Sequence, residues 1–187
     1  MRRFYCNHVL KVGEFLTLSN PVVHHIKVLK LTKGKEIILF NGMGGEYSST
    51  IINIEKKEIL VYINSFQKIN IELPFSICLA QVIPEGSKMD WIIEKAVELG
   101  ITEIQPLFSN RSLKKFNDDR LSKKIVHWQN IINSASELSG RNTLAKIYQP
   151  KYFDLWLEKK KDYQCILLSP GENKKLTEWA KNQTSQP

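Results

Sequence analysis

Apolar residues recur along this chain with two different periods, and the change from one to the other divides it. Up to about residue 73 the apolar runs are short, rich in β-branched residues and separated by turn residues. Residues 15–18, 36–40, 46–54 and 58–66 read as strands, the last two joined at Glu55-Lys56-Lys57. Asn20 and Pro21 read as the N-cap and first position of a short helix. Its apolar face is Val22, His25, Ile26 and Leu29, which makes His25 a packed core histidine. Asn41-Gly42 is a hairpin signal, and Gly42-Met43-Gly44-Gly45 lies between two strands with no helix behind it. That glycine run therefore reads as turn chemistry rather than a phosphate loop. Short strands with tight turns predict a small β-barrel.

Beyond a short join at Leu73-Pro74 the period lengthens. Residues 75–83 form a nearly continuous apolar run, the mark of a strand covered on both faces. Ser87 and Asp90 have capping-box spacing, and Met89, Ile92, Ile93, Ala96 and Val97 make one face of a helix closed by Gly100. Residues 104–108 are a second strand. Strand, helix and strand form a βαβ unit, which requires a parallel pair. After it, Asn117-Asp118-Asp119 suits the start of a helix running to about Leu138. Its core face is Leu121, Ile125, Trp128, Ile132 and Ala135, and Ser139-Gly140 ends it. Residues 146–148 read as an edge strand, Phe153, Trp156 and Leu157 as a short helix packed on the sheet, residues 163–168 as a further buried strand, and Leu176, Trp179 and Ala180 as a last helical face. The short join implies that the two modules pack on each other.

In open α/β sheets ligands bind beyond the carboxyl ends of the strands. Those ends carry Pro84-Glu85-Gly86-Ser87-Lys88 and Ser109-Asn110-Arg111, two polar loops that each hold a cation. The charge balance adds to this. With 27 basic and 19 acidic residues the chain of 187 carries a formal charge of +8, which favours a polyanionic partner. Arg111, Lys114, Lys115, Arg120, Lys123 and Lys124 gather at the start of the long helix as candidate phosphate contacts. Glu137 and Arg141 flank its end, placed either to pair as a clamp or to hold an RNA group beside the strand ends. Three scattered cysteines argue against a disulfide framework or thiolate metal site, and the adjacent His24 and His25 diverge, so no metal is expected. No apolar run approaches ~20 residues, and the first residues lack an apolar signal core. A reducing cytoplasm is the expected compartment.

Several of these pieces occur together in one family. His25-Ile26 with Val28-Leu29-Lys30, the run Gly86-Ser87-Lys88-Met89 through Glu94-Lys95 to Glu98-Leu99-Gly100, Pro106-Leu107-Phe108 with Arg111, and Glu137 with Gly140-Arg141-Asn142 stand in a specific order and spacing. In them the chain resembles the RsmE family, methyltransferases that modify N3 of a uridine in 16S ribosomal RNA. The resemblance implies an α/β protein in two parts: a PUA-like β-barrel over residues 1–73 that binds RNA, and a SPOUT-type domain with a parallel sheet over residues 74–187. It implies S-adenosylmethionine as methyl donor, held in a C-terminal trefoil knot, and a homodimer acting on 16S rRNA or the small ribosomal subunit. Carried onto this chain, RNA contacts fall at Lys30, Lys88, Arg111, Lys114, Lys115 and Arg141. The reaction itself falls to Arg111, Glu137 and Arg141. As N3 loses its proton, cations at Arg111 and Arg141 would stabilise negative charge on the ring oxygens, with Glu137 accepting the proton. The flipped base is positioned for an in-line transfer.

Two departures from the family pattern carry expectations of their own. Leu138 stands where the family usually has Gln. The Gly-Pro-Glu-Gly-Gly loop and Arg-x-Glu-Thr segment that build the cofactor pocket are missing; Ser169-Pro170-Gly171-Glu172 is a partial look-alike. The chain is therefore expected to stop before the knot and, by itself, neither to bind S-adenosylmethionine tightly nor to methylate RNA. The alternative reading is a non-catalytic RNA-binding module with salt-dependent affinity. A metal- or nucleophile-dependent hydrolase finds no support, since no convergent His/Asp/Glu set or nucleophile elbow is present.

Overall fold

The architecture is that of a computed structural model, which describes residues 1–18, 20–109, 118–158, 164–168 and 175–181. The first unit is a five-stranded sheet in the order β1-β3-β4-β5-β2, built from β1 (Arg2–Tyr5), β2 (Phe15–Leu18), β3 (Glu36–Phe40), β4 (Glu46–Ile54) and β5 (Ile59–Gln67). The last four follow the predicted runs to within a residue, because turn chemistry bounds each of them. Strand β3 returns as antiparallel β4 through residues 41–45, where the Met43 amide donates to Asn41 Oδ1 at 3.2 Å. Gly45 has φ +71°, and a β-carbon there would stand 2.4 Å from the Phe66 ring, so both backbone and space demand glycine. The glycine run is turn chemistry, as its setting between strands implies. Phe4 of β1 and Leu18 of β2, from the two ends of the sheet order, share one core with Ile37, Leu39, Ile51 and Val61. The sheet thus curls round a single interior.

Helix α1 (Val22–Val28) covers that interior with Val22, Val23 and Ile26. Its face is turned from the expected one: Val23 takes the core position and His25 is exposed, as is much of Leu29. An aliphatic side chain is cheaper to bury than an imidazole with unmet hydrogen bonds. Pro21 occupies the N-cap position rather than the first helical one, with no side-chain cap. At the other end the Leu31 amide donates to Ile26 O at 3.1 Å and the Lys30 amide to Lys27 O at 2.9 Å. This is a Schellman closure with Lys30 at φ +52°, where glycine is usual.

The second unit contains β6 (Cys78–Val82), α2 (Lys88–Glu98), β7 (Glu103–Phe108), α3 (Asp118–Ser139), β8 (Lys146–Ile147), β9 (Lys151–Tyr152), α4 (Phe153–Glu158) and α5 (Leu176–Lys181). Strands β6 and β7 are parallel, from Cys78 opposite Glu103 to Val82 opposite Leu107. On the other side of β7, β8 pairs with its beginning and β9 with its end, both parallel. Helix α2 closes as its sequence demands: Gly100 sits at φ +94°, and the amides of Gly100 and Ile101 donate to Val97 O and Ala96 O, each at 3.0 Å. Met89, Ile93 and Val97 of α2 meet Trp128, Ile132 and Ala135 of α3 over Ile104 of β7.

Three local expectations give way here. Residues 75–77 lie outside β6. Ser87 is the N-cap of α2 but makes no side-chain cap bond, and Asp90 is drawn away to α3. Residues 164–168, expected in a buried strand with Tyr163 (itself outside the described residues), form no strand, and Leu167 is 85% exposed. An apolar run records only that burial would be favourable; among the described residues no strand lies beside this one to take its backbone bonds. Helix α4 does lie against β7 and β9, as expected, but keeps no fully buried residue, with Leu155 and Leu157 more than half exposed.

Candidate functional site

Two polar regions stand out, one at each end of the parallel sheet. At the carboxyl ends of β6 and β7, a cleft of about 250 Å³ is lined by Val82, Phe108, Ser109, Tyr152, Phe153 and Asp154. Lys88 is exposed in the first turn of α2 beside this rim. Two residues on, the Asp90 carboxylate lies 2.8 Å from His127 Nε2 and accepts the Trp128 indole N–H at 3.1 Å. Trp128 is wholly buried, so its N–H needs that partner, and the same carboxylate fixes how the half-exposed His127 ring is turned. Residue 90 is the third of α2, whereas residues 127 and 128 are the tenth and eleventh of α3. Both helices start from the same rim, so α3 begins about 10 Å beyond α2, at 1.5 Å per residue. That overhang carries Arg120, Lys123 and Lys124, with Lys124 Nζ 5.6 Å above the Trp128 ring. Arg111, Lys114 and Lys115 lie outside the described residues, as do Asn117 and residues 169–172.

The second region is the seam between the two units, at the amino ends of the strands. Helix α3 finishes there, because β8, which follows it, begins opposite Glu103, the first residue of β7. Glu137 and Arg141 are therefore at the far end of the sheet from Lys88, not beside the carboxyl ends where an RNA group was expected. Nor do they pair with each other. Arg141 is 4% exposed; its Nε donates to Glu72 at 3.1 Å, its Nη2 to the same carboxylate, and its Nη1 to Val97 O at 2.9 Å and Ile101 O at 2.8 Å. A guanidinium so enclosed closes the end of α2 and holds the segment that runs between the sheets. Glu137 Oε1 instead accepts the Tyr5 amide at 2.8 Å, and its Oε2 is 3.8 Å from His25 Nδ1. Burial pushes its carboxyl above the usual carboxylate range, against the Tyr5 amide, His25 and Arg3, which pull it down.

Arg3 completes the seam, donating to Glu46 in its own sheet and to Asn142 Oδ1 and Arg141 O across it. The Gly44 amide donates to Asn142 O at 3.1 Å, and Met43 bridges Thr143. Sequence reasoning singled out neither Arg3 nor Glu72, and nothing in their local pattern marks them: an early arginine and one glutamate in a polar stretch. Asp90, expected to cap its own helix, pairs with His127 and Trp128 of α3 instead. Lys30 is exposed on the first unit, held in its left-handed conformation by the closure of α1. Among the described residues no group of three or more His, Cys, Asp or Glu is placed to hold a metal ion. No described helix is long and apolar enough to cross a membrane.

Comparison with known proteins places both units. Residues 71–187 match a family described as an RNA methyltransferase domain, and residues 18–63 one described as an RNA methyltransferase PUA domain. The ribosomal RNA small subunit methyltransferase E of Buchnera aphidicola (from Schizaphis graminum) is 33% identical over 171 residues, covering 90% of this chain and 70% of that protein. The Bacillus subtilis protein of the same name is 28% identical over 163 residues, with 87% of this chain and 64% of that protein covered. Among solved structures, a putative methyltransferase from Legionella pneumophila in complex with its cofactor SAM superimposes with a TM-score of 0.90 at 33% identity, over 99% of this chain and 76% of that one. A ribosomal RNA small subunit methyltransferase E from Neisseria gonorrhoeae bound to S-adenosyl methionine gives 0.82 at 34%, covering 87% and 67%. The chain thus spans roughly two thirds to three quarters of the length of these relatives.

Proposed function

The chain belongs to the ribosomal RNA small subunit methyltransferase E family, and from that premise we propose that it serves S-adenosylmethionine-dependent methylation of uridine N3 in 16S rRNA. The observation that carries the reading is the carboxyl rim of the parallel sheet, where a cleft, Lys88 and the basic overhang of α3 meet. Phosphates of the rRNA would run along Lys88, Arg120, Lys123 and Lys124, joined by Arg111, Lys114 and Lys115 from the adjoining segment. Arg111 is the cation we assign to charge on the uracil oxygens. The boundary between the modules is drawn at 73/74, with the first module, including Lys30, as a second RNA contact. A homodimer and a cytoplasmic setting fit the same family reading.

The seam geometry weighs against direct chemistry by Arg141, whose donors are taken up by Glu72 and two carbonyls. It also sets Glu137 apart from the rim. The cleft of about 250 Å³ at this rim, lined by Val82, Phe108, Ser109, Tyr152, Phe153 and Asp154, is where the described residues would meet the methyl donor. Because the basic rim would hold RNA with or without a methyl donor, RNA binding without chemistry is the second reading for residues 1–187 taken by themselves.

Binding of 16S rRNA across a salt series, with calorimetry of S-adenosylmethionine in parallel, tests both. Affinity should fall steeply with salt, and Lys88→Ala should flatten the slope of log affinity against log salt by about one counterion. Salt-independent or absent RNA binding would remove the rim from the function. Micromolar uptake of S-adenosylmethionine by residues 1–187 would remove the second reading.

A further inference from the structure

Strand β1 is an edge of the first sheet, paired only on its β3 side in the sheet order. Alternate amides of such a strand point to opposite sides. The Cys6 amide donates to Phe40 O at 3.0 Å, within the sheet; the neighbouring Tyr5 amide faces outward. An unmet edge donor is an invitation to pairing with a foreign strand. Here it is met by Glu137 Oε1 at 2.8 Å, from the last turn of α3. The other oxygen of Glu137 faces His25 of α1 at 3.8 Å. One carboxylate of the second module thus touches both the edge strand and the helix of the first. Arg3, two residues back on β1, reaches Asn142 just beyond the end of α3.

We infer that Glu137 is a positioning residue: by closing the open edge of the first sheet it sets the angle at which that module stands to the carboxyl rim, the Arg3 and Gly44 contacts to Asn142 holding the modules together about that point. Lys30, which follows α1, is then held in a set relation to Lys88 and the α3 overhang, so one RNA can engage both modules at once. Rigid placement raises the effective concentration of the second contact once the first is made. Acceptance of an N–H requires a carbonyl-type oxygen at the right reach and no negative charge. Glu137→Gln therefore preserves the lock, whereas Glu137→Asp, one methylene shorter, and Glu137→Ala release it. The link to RNA rests on the methyltransferase reading; the angle itself does not.

Residual dipolar couplings on the full chain report that angle with neither RNA nor methyl donor present. In the wild type and in Glu137→Gln the two modules should share one alignment tensor. In Glu137→Asp and Glu137→Ala the tensors should diverge, with 16S rRNA affinity falling about 100-fold, the lower end of what a lost intramolecular second contact removes, and recovering in Glu137→Gln. If Glu137→Ala does not fold, Glu137→Asp decides. A single shared tensor in the released variants overturns the lock. Diverging tensors with unchanged RNA affinity would keep the lock but overturn its use in RNA presentation. Loss of RNA binding by the rim variant Lys88→Ala bears on the family function and leaves the lock untouched.

Discussion

Replacing Arg141 tests how the two modules are held. In Arg141→Ala the Glu72 carboxylate, 14% exposed, keeps its burial and loses the guanidinium that compensates it. Val97 O and Ile101 O lose charged donors at 2.9 and 2.8 Å in the same step. Breaking a buried pair by deleting one partner costs about 3–5 kcal/mol. For a chain of this size each kcal/mol lowers Tm by about 2–4 °C, so a fall of about 6–20 °C is expected. Arg141→Lys keeps the charge but not the planar fork, and should lose part of this. Urea denaturation followed by circular dichroism gives the loss directly. The double variant Arg141→Ala/Glu72→Ala should lose less than the sum of the singles, since the second change removes a charge already stranded. A loss below about 1 kcal/mol for Arg141→Ala, within the range of an exposed ion pair, would refute the enclosed clamp.

Three other outcomes follow from single residues. Burial raises the Glu137 carboxyl, so the folded state holds its proton to higher pH than the unfolded chain; that stabilising contribution is complete below the unfolded value and is lost as pH rises through the folded one. Glu137→Gln should accordingly match the wild type in acid and gain on it towards neutral pH in thermal melts, and a wild type that gains instead contradicts the sign. Lys30→Gly relieves a left-handed non-glycine residue at φ +52° and should add about 1 kcal/mol of stability while weakening RNA binding; a variant less stable than the wild type counts against the strain. Asp90→Ala strands the indole N–H of the fully buried Trp128 and should cost about 1–3 kcal/mol in denaturant unfolding, with Asp90→Asn recovering much of it; equal losses in the two variants would show the indole bond to be immaterial.

The elements that sequence reading placed well are those whose cause is local. Gly100 and Gly140 end their helices because the left-handed turn they make, at φ +94° and +81°, is a property of glycine itself. Residues 36–40 and 46–54 become strands because alternation and an Asn-Gly turn act within a few residues. Residues 164–168 misled, because an apolar run states a preference that only a neighbouring strand can satisfy. His25 misled in the same way: helical spacing gave it a place on the apolar face, but Val23 competed for the core and took it.

By itself the sequence determined the two-module plan, the parallel βαβ unit and the basic character of its rim, since periodicity, turn chemistry and charge are all carried by neighbours along the chain. Tertiary structure alone decided what the charged residues do. Arg141 meets Glu72 across 69 positions and Glu137 meets the Tyr5 amide across 132, separations over which no local pattern selects a partner. A buried charge takes whichever complement the packed modules bring within hydrogen-bond reach, and that choice exists only once the seam has closed.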